Sequence, residues 1–154
     1  MIEVDWQKIF LHFECFLFLT IHFSLQHMSK KTIFTTAAPS PIGPYSQAVM
    51  VGDLLFVSGQ ISIDPANGDL VSGDIEHETR QVMLNIGSIL KEAGLNYHNI
   101  IKSSIFLKNM GDFAKVNEVY GHFFTGHYPA RETVEVSRLP KDVNVEISVI
   151  AVKG

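Results

Sequence analysis

The sequence predicts one α+β domain in which two helices pack on one face of a β-sheet. Three observations carry this: a hairpin signature around Gly52-Asp53, two apolar helical stripes separated by a strand, and an alternating strand near the C-terminus. Runs of strands interleaved with single helices describe such a two-layer sandwich. From Ala37 to Pro44 the stretch AAPSPIGP holds three prolines and a glycine, which break regular structure and force a shaped loop. Ala48–Val51 and Leu54–Ser58 flank a two-residue turn of the kind that joins antiparallel strands. Asp64-Pro-Ala-Asn-Gly68 closes this opening β region as a further turn.

Asp74, Glu76 and Glu78 favour the start of a helix, in which Ile75, Val82, Ile86, Ile89 and Ala93 recur mostly at steps of three or four. Gly94 is its natural stop. Ile100–Leu107 predicts a strand with Ile101, Ile105 and Leu107 on one face and Lys102 and Ser104 on the other. Asp112 is placed to cap a second helix with Phe113, Val116, Tyr120 and Phe123 as its apolar stripe, ending before Pro129. Thr133–Ser137, a polar turn around Pro140-Lys-Asp142, and Asn144–Val152 predict a closing strand hairpin. In its last strand Val145, Ile147, Val149 and Ala151 alternate with polar neighbours.

At 154 residues the chain predicts one core. Residues 1–27 differ from the rest: they hold the only Trp (Trp6), the only Cys (Cys15) and five of the eleven Phe. Their apolar stretch, Ile9 to Leu25, is 17 residues long and carries His12, Glu14 and His22. A membrane span needs about 20 apolar residues and tolerates such groups poorly. Without Ala or Gly the segment lacks a signal-peptidase site, and without Arg it fails as a mitochondrial presequence. The expectation is therefore an N-terminal extension over 1–27, read first as a misassigned start, with membrane attachment or a genuine added helix as the alternatives, followed by one domain over 28–154.

That domain carries eleven Lys and Arg against thirteen Asp and Glu, a net charge of −2, which gives no electrostatic footprint for a phosphate backbone. Lacking cysteine, it has no disulfide, thiolate zinc site or catalytic thiol, and the cytoplasm is its expected compartment. His77, His98, His122 and His127 show no metal-ligand spacing. No phosphate-cradling glycine loop or GxSxG elbow is present.

Two charges stand out by elimination. Arg131, between Pro129-Ala130 and a strand, offers a planar fork that matches a carboxylate. Glu146, mid-strand among Val145, Ile147 and Val149, is placed where burial would raise its pKa and suit it to acid–base work. Tyr45, after the rigid IGP turn, could offer a ring wall, and Asn117 borders the second helix's buried stripe. Each residue also has an ordinary role open to it: surface charge, solvent-facing strand carboxylate, packed ring, structural amide.

Together these residues lie in strings with a recognisable pattern. Ile42-Gly-Pro-Tyr-Ser-Gln-Ala48, Phe56-Val-Ser-Gly-Gln60, Asp112-Phe-Ala-Lys-Val-Asn117, Pro129-Ala-Arg131 and Arg138-Leu-Pro-Lys-Asp142 resemble the successive signatures of the RidA (YjgF-type) family. The likeness spans Met28 to Gly154, and residues 1–27 have no counterpart in it. It implies a chorismate-mutase-like fold assembled as a homotrimer with active sites between subunits, and no metal or organic cofactor. It implies that Arg131 clamps the substrate carboxylate, Tyr45 lines the pocket, Asn117, Ser58 and Gly59 shape it, and Glu146 activates water.

The implied reaction is hydrolysis of 2-iminobutanoate and 2-iminopropanoate to 2-keto acids and ammonium, which limits damage from intermediates released by pyridoxal-phosphate enzymes. Small imino acids, rather than nucleic acid or membrane, are the implied partners. Thr133 stands where many bacterial members carry Cys, which puts thiol-based regulation in doubt. Two other functions are compatible with the strings: a carboxylate-binding regulator without turnover, for which Glu146 would be dispensable, and a ribonuclease or translation inhibitor, which the charge disfavours.

Overall fold

A computed structural model describes residues 30–71 and 73–154. The expected extension, 1–27, lies outside the described residues. Six strands form one mixed sheet: β1 (Lys30–Ile33), β2 (Ala48–Val51), β3 (Leu54–Gln60), β4 (Ile100–Leu107), β5 (Ala130–Glu135) and β6 (Val145–Val152). Their spatial order is β1-β2-β3-β6-β4-β5. Helices α1 (Ile75–Glu92) and α2 (Phe113–Gly121) cover one face. The α+β class and the pair of helices on one face are as expected.

α1 begins where Asp74 accepts the His77 amide, a side-chain N-cap, and its buried face carries Val82, Met83, Ile86, Ile89 and Leu90. These meet Leu55, Val57, Ile105, Leu107, Val145, Ile147 and Val149 of the sheet in one core. A satellite cluster of Ile61, Ile63, Leu139 and Val143 lies beside it.

Four local expectations are corrected. The C-terminal strands do not form a hairpin: β5 runs parallel to β4 at the sheet edge, while β6 pairs antiparallel with both β3 and β4. α2 is thus the crossover of a β-α-β unit, because parallel neighbours need a long connection. Ile101 is exposed, since a register shift between Ile100 and Lys102 moves it off the core face and puts Ser103 there instead. Asp112 makes no side-chain cap, being itself in helical conformation at the end of a 3-10 turn. Phe113, at the head of the expected stripe, is 39% exposed, and Val119 and Phe124 are buried in its stead. β1 is an additional edge strand; four residues with two exposed lysines carry too little alternation to announce it.

Candidate active site

Arg131 projects from β5 on the helix-covered face, in register with the fully buried Ser103 of β4. Its guanidinium carbon lies 5.8 Å from the Phe113 ring centroid and 5.2 Å from that of Tyr120, both on α2. Beside it opens a cavity of about 450 Å³ lined by Asn117, Tyr120, Gly121, Tyr128 and Pro129. Asn117 is exposed here rather than buried, one turn from both Phe113 and Tyr120. Among the described residues no carboxylate pairs with Arg131, so its fork remains available. Burial pushes the Tyr120 phenol up, opposed by its hydrogen bond to Ser103 and by the Arg131 charge.

Glu146 belongs to a second pocket. Because Val145 and Ile147 face the helices, strand alternation sends Glu146 to the opposite face. It is half-buried in a cavity of about 280 Å³ with Ile42, Tyr45, Ser58, Gly59, Ile61 and Pro140. Burial raises its carboxyl above the ordinary value. A bulge in β3 between Val57 and Gln60 shapes this floor, bringing the Gly59 backbone so close that a Cβ there would overlap the Glu146 carboxylate.

The walls of the Glu146 pocket are fixed by hydrogen bonds. Tyr45 accepts the Ile42 amide at 3.3 Å, folding its ring back over the loop. Ser58 donates to the Ser46 carbonyl at 2.7 Å. Buried Gln47 accepts the Thr35 amide and donates to the carbonyls of Thr35, Ala38 and Pro39, stitching the proline-rich loop to the sheet. Gln47 lies within the Ile42–Ala48 string with no role assigned to it there, and its one signal in the sequence is a polar residue directly before an apolar strand. Pro140 arrives on a turn in which Lys141 and Asp142 both take left-handed φ, +53° and +58°. Lys108 pairs with Asp142 at 3.0 Å to hold that turn.

One chain therefore brings Arg131 together with Asn117, and Glu146 together with Tyr45, Ser58 and Gly59, but it separates the two groups. They lie on opposite faces of the sheet with β4 between them. From strand spacing and rise they stand about 10 Å apart across the sheet and about 10 Å along it. A molecule only a few ångströms long cannot touch both within one subunit. Among the described residues no group of three or more His, Cys, Asp or Glu is placed to hold a metal ion.

An α+β domain with a single mixed sheet thus carries two separate pockets, one with an arginine that meets no carboxylate among the described residues and the other with a desolvated carboxylate. The chain belongs to the YjgF/RidA family: the family model described as Endoribonuclease L-PSP matches residues 35–153. Among its relatives, a RutC family protein of Pyrococcus abyssi is 54% identical over 126 residues, covering 82% of this chain and 99% of its own. The 2-iminobutanoate/2-iminopropanoate deaminase of Mus musculus is 46% identical over 125 residues, covering 81% and 93%. E. coli TdcF, solved with bound serine, superposes with a TM-score of 0.78 at 43% identity and covers 80% of this chain and 99% of its own. RidA from the Antarctic bacterium Psychrobacter gives 0.78 at 39%, with the same coverage.

Proposed function

We propose that this protein hydrolyses 2-imino acids such as 2-iminobutanoate and 2-iminopropanoate to 2-keto acids and ammonium, at sites shared between subunits of a homotrimer. The observation that carries it is the placement of Arg131 and Glu146 on opposite faces of one sheet, each in its own cavity. A complete site then takes the arginine from one copy and the carboxylate from another, as a closed ring of heterologous contacts provides. The names of the mouse and bovine relatives, at 46% and 45% identity, support the substrate class.

The chemistry follows from the residues. Arg131 holds the substrate carboxylate through two parallel N–H donors, which fixes the C=N carbon. Glu146 takes a proton from water as the water oxygen bonds to the carbon of the protonated imine, giving a carbinolamine, and then returns that proton to the carbinolamine nitrogen. As the C–N bond breaks, the hydroxyl passes its proton to the departing ammonia, so the products are the ketone and ammonium and Glu146 is again ionised. No covalent enzyme intermediate is required. Tyr45, Ser58, Gly59 and Asn117 shape the cleft.

Ammonia release from 2-iminobutanoate, generated in situ by an amino-acid oxidase, tests the proposal against the uncatalysed rate. An acceleration supports it. Binding of 2-oxobutanoate without acceleration would assign a carboxylate-binding regulator instead.

A further inference from the structure

Tyr120 and Ser103 form an unusual pair. Tyr120 is 2% exposed within the apolar stripe of α2, where a phenylalanine would pack as well, and the same chain places Phe at 113, 123 and 124. Ser103 is 0% exposed on a strand face whose next positions are Ile105 and Leu107. The Tyr120 hydroxyl donates to Ser103 Oγ at 2.8 Å, so two polar groups buried in an apolar layer have only each other as side-chain hydrogen-bond partners among the described residues. Tyr97 offers a contrast: its hydroxyl donates to the backbone carbonyl of Met83, a partner any helix surface can supply. Such side-chain pairs cost desolvation, and their distinctive return is a fixed orientation.

What that orientation serves is visible next door. Ser103 is the register partner of Arg131, and the ring that Ser103 anchors is the nearer of the two facing the guanidinium. The other, Phe113, is 39% exposed and has no comparable anchor. An arginine side chain left free must be ordered when it binds, which weakens bidentate capture of a carboxylate. We propose that Tyr120, locked by Ser103, is a positioning residue that sets the Arg131 guanidinium for the substrate carboxylate. The proposal rests on the reading of Arg131 as the carboxylate clamp.

The test uses the full chain labelled with ¹⁵Nε-arginine, which has only three arginines, Arg80, Arg131 and Arg138. In the ligand-free protein the Arg131 Nε–H signal, assigned by its loss in Arg131→Lys, is expected upfield through ring shielding. It should move toward the other two signals in Tyr120→Phe and again in Ser103→Ala. Either variant should raise KM for the imino acid, and Kd for 2-oxobutanoate, about tenfold while kcat stays within about twofold, because ground and transition states share the contact. The double variant should be no worse than either single one, since the two hydroxyls act as a unit. Lowered thermal midpoints with an unmoved Arg131 signal and wild-type Kd would overturn the proposal, leaving a purely structural pair. The Arg131 signal and the 2-oxobutanoate titration need no turnover, so a wild-type protein that hydrolyses no imine would defeat the proposed reaction while these two readouts still decide the role of Tyr120.

Discussion

Arg131 contributes charge and planar shape separately, and a lysine keeps only the first. Arg131→Lys should therefore lose about 2–4 kcal/mol of transition-state stabilisation, seen as a fall in kcat/KM of about 30-fold or more. Glu146→Gln keeps shape and hydrogen bonding but cannot take a proton, so kcat should fall while 2-oxobutanoate binds as before. Burial raises the Glu146 carboxyl, and in its proposed role as base it must be ionised. Activity should accordingly fade with acid at a pH above the ordinary carboxylate range. A raised folded-state pKa favours folding fully below the unfolded value and loses that contribution as pH rises through the folded one. Glu146→Gln should therefore raise the thermal midpoint at neutral pH, with the gain closing toward acid. Gly59→Ala puts a methyl where the Glu146 carboxylate lies, and kcat should drop more than stability does.

At the scale of elements, the segment leading into β6 is tied to the start of α1. Glu78, 5% exposed, accepts the Asn144 amide at 3.1 Å and its side-chain amide at 2.6 Å, two residues before Glu146. Asn144→Ala should cost about 1.5–3 kcal/mol by depriving a buried carboxylate of a donor, lowering the thermal midpoint by roughly 5–10 °C. The sheet's buried strands were legible because period-two alternation is strong in Val145–Ala151 and the helical period is strong in α1. Pairing was not: nothing local distinguishes β5 as a parallel edge strand from β5 as half of a hairpin, since the choice is made by where α2 returns the chain. For the same reason the motifs name residues of both pockets but not their separation. Which face a side chain takes depends on register with neighbours, as the shift that exposes Ile101 illustrates. The roles of Tyr120 and Gln47 hide in hydrogen bonds to partners 17 and 12 or fewer residues away, which no periodicity reports.

For the whole molecule, the two-faced distribution of Arg131 and Glu146 makes assembly part of the proposed chemistry. Light scattering at micromolar concentration should give three subunits, and an active monomer would contradict shared sites. Residues 1–27 precede the family match, which begins at 35, and a Met28-start form should keep both thermal midpoint and turnover. The most direct test combines two disabled chains. Arg131→Lys and Glu146→Gln proteins, each nearly inactive alone, are co-refolded at equal ratio. If every site joins Arg131 of one subunit to Glu146 of another, random assembly restores about one quarter of the wild-type activity per subunit. Mixed samples that stay at the level of the parent variants would contradict a site built from two copies.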